Sequence, residues 1–303
     1  MEVLRFKFES TCRNSSVQVD GCVDHTVVAG KFADHFSRAY TSNSASRAEE
    51  LKQEYAATRA TYHGFPLTTS FDVEIVSHIV SSLKLGKAPD VENLTAAHLR
   101  HSHPILLCVL TKLFNLILRF GTIPLAFGYS YTVPVCKLQD SRTKAVTTVD
   151  FRGIAISPVI SKTFEHCVLK KFGDYFRTHD NQFAFKKGCG CSHAIYAARN
   201  AIERLVNGGS TVSLCALRRT IKLITALFVK LMKRQIPIAL LCVLENWLSN
   251  SWTCIKWYSM YSRFIKIEFG VRQGSVLAPS LLAVYIDDAV SRLSLSQRYF
   301  ITG

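Results

Sequence analysis

The apolar residues of this chain change their spacing several times along its length, and that alternation limits the class of fold open to it. Over residues 73–85, Val73, Val76, Ile79, Val80 and Leu83 recur at the three-and-four step of a helix, and Gly86 stops the run. Residues 104–120 repeat the pattern with Leu106, Val109, Leu110, Leu113 and Ile117, closed by Gly121 and Pro124. Residues 129–137 and 151–157 are instead β-branched and aromatic, the composition of strands, and a polar loop rich in Lys, Arg and Thr separates them. A helix over 162–176, a strand over 211–217 and a basic helix over 221–234 follow, so the chain reads as α+β. Upstream, Phe32, His35 and Phe36 share a helical face within residues 27–62, the polar piece 41–46 interrupts it, and the charged run 47–54 suits an exposed helix. His63-Gly64-Phe65-Pro66 ends that segment and places a boundary near residue 70.

With 303 residues, 48% of them apolar, the chain is long enough for two or three packed units and too apolar to be disordered. Lys112 and Glu245 break its apolar stretches before either reaches the roughly 18 residues of a membrane span. Glu2, Arg5, Lys7 and Glu9 leave no apolar core for a secretion signal, so an intracellular protein is expected, nuclear or cytoplasmic and not secreted. The 10 cysteines include no Cys-x-x-Cys pair and read as ordinary reduced thiols. Cys189, Cys191 and His193 offer three metal donors but lack the usual spacing and a fourth ligand, so no metal is expected there.

Charge divides the chain unevenly. Residues 1–80 hold 8 Lys and Arg against 10 Asp and Glu, whereas residues 81–303 hold 29 against 12. A surplus of that size suits a phosphate-facing surface, and a generally basic solvated face is the bland alternative. The same half carries Trp247, Trp252, Trp257, Tyr258 and Tyr261. Aromatics on basic ground either stack bases or pack helix against strand, and the sequence leaves both open.

Five ordered blocks are more specific than any of these features: Gly86-Lys87-Ala88-Pro89; Thr132-Val133-Pro134-Val135-Cys136-Lys137; Asp150-Phe151-Arg152-Gly153-Ile154-Ala155-Ile156-Ser157-Pro158; Asn181-Gln182-Phe183 with Lys186-Lys187-Gly188; and the run from Gly270 to Pro279 containing Arg272-Gln273-Gly274. In this order they resemble the reverse transcriptase domain of non-LTR (LINE-like, CR1-type) retrotransposons, from about residue 20 onward. The resemblance implies right-hand polymerase fingers over 71–205 and an incomplete palm over 206–303, preceded by a helical linker over 1–70. It implies RNA template, DNA primer and Mg2+ as partners. Arg152, Gln273 and Gly274 would contact the incoming nucleotide, and Lys87, Lys137, Lys186, Lys187 and Arg272 would contact phosphates. In the first role a guanidinium suits because its fork holds two phosphate oxygens, and Gly274 suits because a missing side chain lets a substrate approach the backbone. A tight turn before a helix is the plainer reading of Gln273-Gly274. Asp90-Val91-Glu92 departs from the family's glycine-rich loop and adds negative charge near a phosphate path.

Phosphoryl transfer of this kind uses two divalent ions held by carboxylates. The resemblance calls for an Asp just after residues 211–217, but Arg218-Arg219 stands there, and no Asp lies between Asp180 and Asp287. Asp287 and Asp288, in Tyr285-Ile286-Asp287-Asp288, look like the family's catalytic pair. However, Leu281, Tyr285, Ala289 and Leu293 recur every four residues after Pro279, which predicts a helix rather than a hairpin. The chain therefore reads as a polymerase-derived protein without activity and without a productive Mg2+ site. Two alternatives stay open: an active polymerase using Asp287 and Asp288, and a non-catalytic RNA- or DNA-binding remnant.

Overall fold

Two aspartates start helices where the sequence turns apolar. Asp24 accepts hydrogen bonds from the backbone of Thr26 and Val27 at the head of α1 (His25–Ala39), and Asp72 accepts one from Ile75 at the head of α3 (Val73–Ser82). Between them lies α2 (Ala45–Thr61), and after them come α4 (Ala96–Arg100), α5 (Ile105–Phe120) and α6 (Leu125–Gly128). Gly121 ends α5 in the left-handed conformation, as its position predicts. The computed structural model describes residues 18–40, 45–66, 70–137, 146–180, 188–213, 224–268 and 272–293, together with 182, 183, 185, 186 and 270. The 214–220 stretch with Arg218 and Arg219, and Lys187, lie outside the described residues.

Strand β1 (Tyr129–Cys136) pairs antiparallel with β2 (Phe151–Ile156) and parallel with β3 (Trp252–Trp257), on which β4 (Met260–Tyr261) and β5 (Ile265–Lys266) lie antiparallel. The helices α7 (Val159–Phe172), α8 (Cys191–Asn207), α9 (Ile224–Lys233) and α10 (Ile238–Ser249) precede β3, and α11 (Ala278–Leu293) follows β5. The result is a mostly helical α+β fold with a five-stranded mixed sheet. None of the described helices is long and apolar enough to cross a membrane.

Two cores result. One face of the sheet is sealed by α1, where Phe32 meets Phe151 and Trp257 at ring distances of 4.9 and 5.1 Å over Ile255 and Ile265. The larger core lies among α3, α5, α7, α9, α10 and α11, with Phe114, Phe164, Leu231, Leu240, Leu244 and Val284 at its centre. Helix α2 is polar on its outside yet anchored, because Tyr55 donates to Glu245 at 2.7 Å and Arg59 pairs with the same carboxylate at 3.1 Å. Burial and the Glu245 hydrogen bond push the Tyr55 hydroxyl well above its ordinary range.

Three expectations need correction. The stripe of α5 is rotated by about one residue. It buries Leu110, Thr111, Phe114, Ile117 and Leu118, while Val109 is exposed, because the ring of Phe114 seats against Phe164 at 5.2 Å and turns the helix toward it. Helix α3 ends at Ser82 rather than 85, since Leu83 is extended. Residues 211–213 are not in a strand, and the remainder of that expected strand falls outside the described residues.

Candidate nucleic-acid interface

Side chains of paired strands share a face, so the register sorts the sheet. Val135 opposite Arg152, Val133 opposite Ile154, Tyr129 opposite Trp252, Trp252 opposite Lys266 and Lys256 opposite Tyr261 all lie on the side away from α1. This second face is capped at its middle, where Tyr131, Ile156 and Cys254 pack under Ala88, while Arg152, Tyr129, Tyr261 and Lys266 on it are exposed. Tyr129, Tyr261 and nearby Phe264 are 36%, 53% and 48% exposed. The cations are interleaved with the rings. Lys256 Nζ lies 5.1 Å from the Tyr131 ring and 5.2 Å from the Tyr261 ring, and Lys266 Nζ lies 5.9 Å from Trp252.

The loop after α3 is fastened onto this face. Tyr131 donates its hydroxyl to the Pro89 carbonyl at 2.6 Å, and burial, with Tyr261 and Asp90 nearby, pushes that phenol up to about 12. Asp90 is 5% exposed, and its carboxylate accepts the backbone N–H groups of Glu92, Leu94 and Val159 at 3.0, 2.9 and 2.8 Å. Asp90 thus ties the loop to the head of α7. Glu92 remains exposed. Lys87 is exposed on this tethered loop, and Arg152 is exposed on β2; neither side chain has an ion pair or hydrogen bond among the described residues.

Gln273 and Gly274 form a turn along the outer edge of β2. The Gln273 carbonyl accepts the Ala155 N–H at 2.7 Å, and a Cβ on Gly274, whose φ is +114°, would overlap the Ala155 carbonyl oxygen. The glycine therefore serves the approach of the turn to β2. The Gln273 side chain is exposed. Arg272 is 6% exposed and donates to the Phe127 carbonyl at 3.0 Å, so it is structural rather than phosphate-facing, and burial holds its guanidinium below its ordinary value. Across a cavity of about 20 Å3 from it, room for roughly one water, sits Glu165. That carboxylate is 1% exposed and accepts from Ser275 Oγ at 2.5 Å and Leu277 N at 2.7 Å, locking the turn to α7 and starting α11.

The other basic candidates divide as well. Lys137 donates to the Val149 carbonyl at 2.7 Å, and Lys186 to the His179 carbonyl at 2.7 Å with Asp180 at 3.8 Å. Both cations close loops. Sequence reasoning passed over Lys162, half-buried near Lys87 and Arg272, whose amine is held below its ordinary value by burial first. Its signal was available: a lysine in the first turn of a helix sits at the wrong end of the dipole.

Asp287 lies on α11. Its Oδ2 meets Arg234 Nη2 at 2.5 Å and its Oδ1 accepts the His179 N–H at 2.8 Å, while Arg234 also donates to the carbonyls of Tyr175 and Arg177. One turn earlier on α9, Lys230 donates to the Tyr285 carbonyl and rests 5.0 Å from its ring. Tyr285 and Asp287 thus clamp α11 to the C-terminal end of α9. Gln182 adds a bond to the Ala283 carbonyl at 3.3 Å, drawing its own block onto the same helix.

The described residues do not fit Mg2+. No three His, Cys, Asp or Glu side chains among them converge on a point, and the Asp287 oxygens are turned to Arg234 and His179. Cys189 and Cys191 are exposed free thiols, and His193 accepts the Gly190 N–H at 3.1 Å at the head of α8.

No protein-family model matches the chain. Over 273 residues it is 22% identical to the probable RNA-directed DNA polymerase from transposon X-element of Drosophila melanogaster, an alignment covering 86% of this chain. The chain spans 29% of that relative's length. The likeness is distant.

Proposed function

We propose that the chain derives from the reverse-transcriptase region of a non-LTR retrotransposon polymerase and does not itself polymerise. In this reading residues 71–205 correspond to the fingers, 206–303 to part of the palm, and 1–70 to a helical segment upstream. The distant similarity to the X-element polymerase and the five ordered blocks support the origin.

The observation that carries the inactive reading is the position of Asp287. A carboxylate that ligates a metal needs its oxygens free toward the ion, whereas both oxygens here accept hydrogen bonds inside a helical clamp. Primer extension on an RNA template with Mg2+ or Mn2+ tests it, with Asp287→Ala as control. No templated product is expected, and an Asp287-dependent product would overturn the reading.

A retained capacity to bind RNA or DNA is favoured by a separate observation, the open sheet face with Arg152, Lys256, Lys266 and the nearby Lys87. Such a surface gains affinity by displacing counterions from a polynucleotide. RNA binding that weakens steeply with salt is the expected result, and salt-independent binding or none would refute it.

A further inference from the structure

We infer that the β3–β4–β5 end of the open face is a stacking subsite for the bases of a single-stranded polynucleotide. This rests on the nucleic-acid reading above and adds what the charges alone do not give, a place for bases. Tyr129, Tyr261 and Phe264 hold aromatic surface in solvent on a face that has its own sealed counterpart under α1. Tyr129 and Phe264 meet edge to face at 5.3 Å, and Tyr131 supports Tyr261 in the same way at 6.3 Å. The exposed rings are therefore braced by neighbours rather than free to fold down onto the sheet. Trp252 sits in one row between Tyr129 and Lys266. Lys256 and Tyr261 form a second row four residues along β3, about 13 Å away at a strand's rise. Two rows of ring and ammonium at that separation can take bases about two extended nucleotides apart, on either side of the Ala88 cap over Tyr131 and Cys254, and the phosphates between them.

Charge decides the occupant. Arg263, in the turn between β4 and β5, is drawn to Asp34 of α1 at 2.8 Å and leaves the face, whereas Lys256 and Lys266 have no carboxylate partner among the described residues. Glu268, past the end of β5, is the acid nearest along that strand. An apolar protein partner would leave the two ammonium groups unmatched; a single strand satisfies rings and cations together. A duplex, its bases already stacked, would use the cations only.

The experiment measures binding of the full chain to one oligonucleotide sequence as single-stranded RNA, single-stranded DNA and duplex DNA. Of the three tryptophans, Trp247 and Trp257 are 4% and 2% exposed, so Trp252 alone can report base contact on this face. Single strands are expected to quench its fluorescence more than duplex does, and Trp252→Phe is expected to abolish the change. Tyr261→Ala and Phe264→Ala remove exposed rings and are expected to leave urea stability unaltered. Each should weaken single-strand binding on the order of tenfold without changing its salt slope. Lys256→Gln with Lys266→Gln should lower the salt slope instead. Single-strand affinity unchanged in the Tyr261→Ala, Phe264→Ala double variant, or equal quenching by duplex, would overturn the stacking subsite while leaving a phosphate-binding surface intact. Failure of the parent chain to bind any of the three would remove both.

Discussion

Replacing Asp287 by alanine separates a structural carboxylate from a catalytic one. The parent side chain makes one ion pair at 2.5 Å and accepts one backbone N–H at 2.8 Å, with the Arg234 and Asp287 side chains 24% and 17% exposed. Hydrogen bonds to a charged group are worth about 1.5–3 kcal/mol each net, which bounds the pair of contacts near 3–6 kcal/mol. Two features reduce the loss. Arg234 keeps the carbonyls of Tyr175 and Arg177, and partial exposure lets water reach the groups left behind. The expected destabilisation of Asp287→Ala is therefore about 2 kcal/mol, read by urea denaturation followed by circular dichroism. Asp287→Asn keeps an oxygen for the His179 N–H and should lose about half as much. Combining Asp287→Ala with Arg234→Met should cost less than the sum of the two, by about 1 kcal/mol, because both remove the same contact. Asp287→Ala within about 0.5 kcal/mol of the parent, or fully additive with Arg234→Met, would refute the clamp and return the carboxylate to the list of free ligands.

Gly274→Ala forces a side chain into both a positive φ and the Ala155 carbonyl, so it should destabilise by more than about 2 kcal/mol and lower the protease resistance of the 272–277 turn in limited proteolysis. Asp90→Ala strands three backbone N–H groups and should cost on the order of 3 kcal/mol in urea melts, with Asp90→Asn recovering part of it. Stability should fall as pH drops below about 6.5, the unfolded value for histidine. Burial first of all lowers the folded-state value of His166, so in that window the unfolded chain takes up more protons than the folded one. Urea melts at two pH values bracketing that window should show a smaller difference in His166→Asn, the remainder arising in part from His35, which is lowered for the same reason. An unchanged difference would show that His166 is as easily protonated folded as unfolded.

Most of the secondary structure was legible because it is written locally. Gly121 and the strand composition of 129–136 and 151–156 each act within a few residues, and the elements follow them. The rotation of α5 was not legible. Val109 and Phe114 both fit a helical stripe, and only the ring of Phe164, fifty positions onward, decides which one is buried. The helical reading of the Asp287 segment came from the four-residue spacing after Pro279, yet nothing local announced its partner: Arg234 lies 53 residues away, and Glu165 reaches the Leu277 backbone across 112.

The basic residues show where a charge count stops informing. Arg152, Lys87, Lys137, Lys186 and Arg272 are alike as cations, and the family resemblance marks all of them for phosphate. The fold separates them by the carbonyl oxygens within reach. Lys137, Lys186 and Arg272 find Val149, His179 and Phe127, and each closes a loop or a helix end. The side chains of Arg152 and Lys87 find none among the described residues and are exposed, one on the edge strand β2 and the other on a loop whose slack Asp90 and Tyr131 have taken up. The same carboxylate that looked like an obstacle in the sequence is what holds Lys87 beside the sheet. Net charge therefore overstates the binding surface in one respect and misses it in another: it counts the committed cations, and it gives no hint that Lys256 and Lys266 share a face with exposed rings.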